Sequence, residues 1–155
     1  VKLNSILKPE HIKIDCTANS REELLTEIVS SLKGMGLVTD AQQIIDKLIE
    51  RERMGSTSIG NNAAVPHTKI RGLQSPLIFI AVSRKGIIYH EQDKAPVHLA
   101  ILILSPNESP IIHLQILAAA ASLIKKSKNL IRDILNVKSP DEVLEIIRRN
   151  ESQDD

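Results

Sequence analysis

A chain of 155 residues, 42% apolar and 25% charged, is long enough to fold as one domain around a core of its own. Its 20 basic and 19 acidic residues leave a net charge of +1, and Phe79 and Tyr89 are its only aromatics, which excludes a general nucleic-acid surface and a base-stacking platform. No apolar run has the length of a membrane span, the first residues lack a signal-peptide pattern, and the single cysteine, Cys16, allows no internal disulfide; the expected setting is the cytoplasm, without direct membrane insertion.

Residues 1–19 mix short apolar pieces with turn formers and read as a helical turn or strand between loops. Ser20-Arg21-Glu22-Glu23 has the form of an N-cap with an acidic first turn. Leu24, Leu25, Ile28, Val29 and Leu32 follow at helical spacing until Gly34 and Gly36 end the helix. Thr39-Asp40 opens a second helix, with Ile44, Ile45, Leu48 and Ile49 as its buried stripe and Glu50-Arg51-Glu52-Arg53 at its C-terminal end.

A small, polar loop comes next, from Gly55 to His67, in which Ala63-Ala64-Val65 reads as a short strand closing on Pro66-His67. Further strands are predicted from Pro76 to Val82, from Gly86 to Tyr89 and, as the longest apolar run, from Pro96 to Leu104. Such runs suit strands buried on both faces. Ser109-Pro110 starts a helix lined by Leu114, Leu117, Ala118, Ala121, Leu123 and Ile124. Lys125-Lys126-Ser127-Lys128 reads as a solvated helix end, Lys128 to Leu135 as a short helix, and Ser139-Pro140-Asp141-Glu142 as the start of the last one. The polar residues 150–155 read as a frayed tail on a single domain, 1–155, whose core spans about residues 3–149. The fold class is α/β, a sheet between helical layers.

The chemistry concentrates around His67. Phosphoryl transfer needs an in-line nucleophile, donors for the equatorial oxygens and positive charge nearby. A neutral imidazole at His67 can supply the nucleophile. Ser56, Thr57 and Ser58 offer hydroxyls, and the turn Gly60–Asn62 can present backbone N–H groups to an anion. Arg51, at the helix end leading into the loop, can hold phosphate bidentately. His113 falls in the first turn of the Ser109-Pro110 helix, where the dipole keeps an imidazole neutral as a partner for His67 or its phosphoryl group. His98 reads as structural, His11 and His90 as surface or loop residues, and Cys16 as a small residue in a structural position. No HExxH, CxxC or His/Asp ligand spacing occurs, so neither a metal nor a cofactor is expected.

Two blocks carry a resemblance. They are Arg51-Glu52-Arg53-Met54-Gly55-Ser56-Thr57-Ser58-Ile59-Gly60 followed by Ala64-Val65-Pro66-His67, and the Pro96-Val97 strand followed by His113-Leu114. The chain resembles the type-2 IIA domain of the bacterial phosphoenolpyruvate-dependent phosphotransferase system, the mannitol/fructose/nitrogen-regulatory group, over roughly residues 3–149. The resemblance implies a central mixed β-sheet flanked by helices on both faces. It implies that His67 is phosphorylated by a small HPr-like phosphocarrier, with His113 and Arg51 assisting. The start Leu3-Asn4-Ser5-Ile6-Leu7 and the run Arg51-Glu52-Arg53-Met54-Gly55-Ser56-Thr57 look most like the nitrogen-regulatory branch, whose partners are regulatory target proteins. The alternatives are a stand-alone sugar-specific IIA that passes the group to a IIB domain, and a protein-binding module whose site has decayed. Asn62, where the family usually has glycine, is the feature that favours the last.

Overall fold

Local signals start and stop the first helices. In the computed structural model, which describes residues 1–152, Ser20 Oγ and Asp40 Oδ1 accept the backbone N–H groups of Glu23 and Gln43. The elements in chain order are 3₁₀ turns at Leu3–Ser5 and Pro9–His11, β1 (Ile12–Lys13), α1 (Arg21–Gly34), α2 (Ala41–Arg53), β2 (Ser58–Gly60), β3 (Ala63–Ala64), β4 (His67–Ile70), β5 (Leu77–Ile87), β6 (Val97–Pro106), α3 (Pro110–Lys126), α4 (Leu130–Ile134) and α5 (Pro140–Ser152).

The strands form one mixed sheet in the order β1-β5-β6-β3-β2, with β4 also pairing β6. β6 is its axis: antiparallel to β5 on one side, parallel to β3 and β4 on the other. Side chains alternate between two cores, as strand geometry requires. Ile78, Ile80 and Val82 of β5 and Leu99, Ile101 and Ile103 of β6 pack with Ile116, Ala120 and Ile124 of α3 and with Val143 and Ile147 of α5. Phe79, Ala81, Ala100, Leu102 and Leu104 pack with Leu25, Ile28 and Leu32 of α1 and with Ile44, Ile45 and Leu48 of α2. The sheet is thus covered on both faces, the α/β/α arrangement expected.

Several expectations about the elements need correction. His67 opens a strand and does not close one, because Pro66 interrupts the run that Ala63 and Ala64 begin. The two strands expected from Pro76 to Tyr89 are a single β5 whose register shifts between Val82 and Ile87. A Cβ on Gly86 in that bulge would stand 2.8 Å from Pro96 Cβ, so the close approach requires glycine. On α3 the buried face runs through His113, Ile116, Ala120, Leu123 and Ile124, while Leu114 and Ala118 are exposed. His11 is buried in its 3₁₀ turn and is not a surface residue.

Residues 150–152 do not fray. They complete α5, and Glu151 is buried, taking the backbone N–H groups of Leu3 and Asn4 and the Asn4 side-chain amide at 2.6, 2.9 and 2.7 Å. The rest of the tail expected there, residues 153–155, lies outside the described residues. Removing a buried acceptor strands its donors. Glu151→Ala is therefore expected to lower unfolding free energy by roughly 3 kcal/mol in urea titration, and an unchanged midpoint would contradict this anchoring.

Candidate functional site

Proline builds the site. Pro66 has no N–H to give the sheet, so the ladder breaks between β3 and β4 and the Val65 carbonyl turns to the His67 ring, 2.8 Å from Nδ1. Val65 itself donates its N–H to Thr57 O at 3.0 Å, and Pro66 O accepts the Ile103 N–H at 2.9 Å. A carbonyl only accepts, so Nδ1 carries the proton and Nε2 keeps its lone pair.

The second histidine arrives from the other side of the same strand end. β6 finishes at Ser105-Pro106, a tight turn follows, and α3 starts at Pro110. The Ser105 hydroxyl lies 2.6 Å from His113 Nδ1. The His67 and His113 ring centroids are 5.5 Å apart and tilted by 53°. The structure therefore brings together the two histidines that the sequence singled out.

Both imidazoles are held neutral. Burial lowers the pKa of His67; the Val65 hydrogen bond opposes this, the Arg51 charge adds to it and the Glu52 charge opposes it. Burial, followed by the charges of His67 and Lys69, lowers His113 to about 4. Arg51 sits in the last turn of α2 and donates Nη1–H to Gly55 O at 2.8 Å. The first turn of α3 adds the partial positive charge of a helix N-terminus beside the pair. Two neutral rings among Arg51, Lys69 and a helix N-terminus suit an incoming dianion.

The loop donors are arranged otherwise than the sequence suggested. Thr57 is buried and gives its hydroxyl proton to Glu52 Oε2 at 2.5 Å. Ser58 gives its own to Asp93 Oδ1 at 2.7 Å, which leaves the Ser56 hydroxyl to donate to Ser58 Oγ at 2.9 Å. All three hydroxyl protons are thus committed, to Glu52 of α2, to Asp93 and to Ser58. Gly60 ends β2, and Asn61 and Asn62 form the tip of the β2–β3 hairpin, both left-handed with φ 55° and 61°. Ala63 pairs Leu99 whereas His67 pairs Ile103, so this turn lies about 13 Å along the sheet from the histidine by the usual strand rise. It is no anion nest for His67. Asn62 also loses its place as a defect: its side chain donates to Pro96 O at 2.9 Å, a bond glycine could not make.

Three residues at the site escaped the sequence reading. Glu52 is buried against Thr57 and Tyr89, Lys69 shares the His67 face of β4, and Ser105 touches His113. Glu52 had left a trace, since Ile45, Leu48 and Glu52 fall on one helical face. Among the described residues no group of three or more His, Cys, Asp or Glu could hold a metal ion, and no helix is long and apolar enough to cross a membrane.

Comparison with known proteins points to one family. The family model described as "Phosphoenolpyruvate-dependent sugar phosphotransferase system, EIIA 2" matches residues 5–150. A nitrogen regulatory protein of Klebsiella oxytoca is 30% identical over 149 residues, 95% of this chain and 90% of that protein. The fructose-specific EIIABC component of Bacillus subtilis is 27% identical over 151 residues, 97% of this chain; the chain spans only 24% of that relative's length. The crystal structure of nitrogen regulatory protein IIA-Ntr from Neisseria meningitidis superposes with a TM-score of 0.82 at 26% identity, covering 94% of this chain and 98% of that one.

The lowered His113 has a consequence for pH. The unfolded chain takes up a proton near 6.5 that the folded chain refuses until about 4, so protonation erodes stability as pH falls through that window. A ring-proton NMR titration is expected to place the His113 midpoint near 4; a midpoint at the ordinary histidine value would contradict the burial argument.

Proposed function

This chain belongs to the EIIA type 2 family of the phosphoenolpyruvate-dependent sugar phosphotransferase system, and we propose that it is a cytoplasmic phosphohistidine carrier of the nitrogen-regulatory kind, with His67 as acceptor. The observation that carries this reading is the Nδ1–Val65 hydrogen bond, which leaves Nε2 of a neutral ring as the nucleophile. Nε2 attacks the phosphorus of an HPr-like phosphocarrier. A new N–P bond forms as the carrier's bond to phosphorus breaks and that electron pair returns to the carrier. Arg51 and Lys69 meet the charge on the equatorial oxygens. His113, neutral and pinned by Ser105, supports the phosphoryl group from the helix side.

Partner docking has its own support. Ile111 and Leu114 flank His113 yet are 70% and 65% exposed, and Met54, near Arg51 in sequence, is 79% exposed. Large apolar side chains left open around a reactive histidine suit a transient protein interface. A phosphoryl group adds negative charge at the centre of that surface and changes which partners bind it. The regulatory role draws on the nitrogen regulatory relative, most of whose length this chain spans. The fructose-specific relative supports a second reading, transfer onward to a IIB domain.

Incubation with phosphoenolpyruvate, the first-stage enzyme and the small carrier is expected to add one acid-labile phosphate, read by intact mass and absent in His67→Ala. No phosphorylation by any cognate carrier would defeat both carrier readings, and rapid transfer to a sugar-specific IIB domain would reject the regulatory one. His113→Ala should slow transfer by roughly 100-fold, the loss a misplaced reacting group brings. Ile111→Asp should raise the KM for the carrier about tenfold with the fold intact; an unchanged KM would remove Ile111 from the docking surface.

A further inference from the structure

A buried acid beside the histidine pair stands in a costly place. Glu52 is 3% exposed and lies in the last turn of α2, where the helix dipole disfavours negative charge. Burying a carboxylate there adds a desolvation cost that only dense hydrogen bonding offsets. The bonds are present. Oε1 accepts the Thr57 backbone N–H at 2.9 Å, and Oε2 accepts the Thr57 hydroxyl at 2.5 Å and the Tyr89 hydroxyl at 3.0 Å. Burial, then the Glu52 carboxylate, pushes the Tyr89 phenol upward, so Tyr89 remains a donor.

From Thr57 the restraint runs directly to the reactive ring. Thr57 O takes the Val65 N–H at 3.0 Å, and Val65 O takes the His67 Nδ1–H at 2.8 Å. The same clamp fixes the segment that contains Gly55, whose carbonyl holds Arg51 Nη1 at 2.8 Å. Glu52 therefore sits at the root of two restraints, one on the nucleophile and one on the guanidinium. A device needed only to close the loop could use a neutral acceptor at lower cost.

We propose that Glu52 is a positioning residue for phosphoryl transfer: through Thr57 and Val65 it holds His67 in the Nδ1–H tautomer and presents Nε2 to the phosphoryl donor. The transfer part rests on the carrier reading above; the tautomer part does not. The Glu52 carboxylate bonds Thr57 and Tyr89, not His67, and acts on the ring through the Thr57 backbone.

The test is Glu52→Gln in the full chain, with circular dichroism and thermal melting as folding controls. Nitrogen-15 NMR of the His67 ring is expected to show one tautomer, protonated at Nδ1, in the parent protein and a mixture in the variant. Transfer from the phosphorylated carrier should lose about tenfold in kcat, with KM unchanged because Ile111 and Leu114 are untouched. A folded variant that keeps a single Nδ1–H tautomer overturns the proposal whatever its rate. Should Glu52→Gln fail to fold, Thr57→Val takes its place: it removes the hydroxyl donor and leaves the N–H, and the same tautomer mixing is expected with a loss of about threefold in kcat. A single tautomer in folded Thr57→Val overturns the proposal equally. A parent protein that no carrier phosphorylates defeats the carrier reading alone, since the tautomer measurement needs no carrier.

Discussion

Everything that matters in this molecule hangs on the C-terminal half of β6. That strand is buried on both faces and hydrogen-bonded along both edges. It has no freedom to shift, because a slip of one residue would turn Ile101 and Ile103 into the wrong core. His67 is aligned by pairing β4 against Ile103, and His113 is aligned by Ser105 two residues further along. The two rings meet because one rigid strand sets both, although they are far apart in sequence. A site placed on strand and helix ends is more exact than one borne by free loops.

Electrostatics then decides what the paired rings do. Burial works against protonation at both histidines, and a charge on His67 further disfavours one on His113. Arg51 and Lys69 add positive charge that further disfavours protonation of the rings. The result is a pair of neutral bases in a positive field, a combination that an anion can enter and a cation cannot. The hydrogen bond to Val65 sets the two nitrogens of His67 apart, a donor at Nδ1 and a lone pair at Nε2.

Much of this was legible in the sequence, for identifiable reasons. Apolar spacing located the helices, and caps at Ser20 and Asp40 marked their starts, because those signals are local. That His67 and His113 belong together was suggested by the loop before one and the helix start before the other, and the two rings do lie side by side. The partners of the hydroxyls were not, since Thr57 meets Tyr89 across a separation of 32 residues and Ser58 meets Asp93 across 35. Polar composition announced a binding loop, but part of that polarity serves the loop's own closure and part forms a hairpin tip well removed from His67. Leu114 was misassigned to the core for a related reason: an apolar residue left outward on α3 has the composition of a core face, and only the packed fold shows that it is exposed.

The bond network at Glu151 reaches beyond stability. It joins the last turn of α5 to the first turn of the chain, so the polypeptide enters and leaves the domain at a single seam. A neighbouring module spliced before Leu3 or after Glu151 would be tethered at the same spot, and swapping its order along the gene would hardly move it in space. The same seam makes the backbone topologically close to a ring: joined there by a short linker, it could be reopened at an exposed turn such as Arg71-Gly72 without parting β6 from its neighbours.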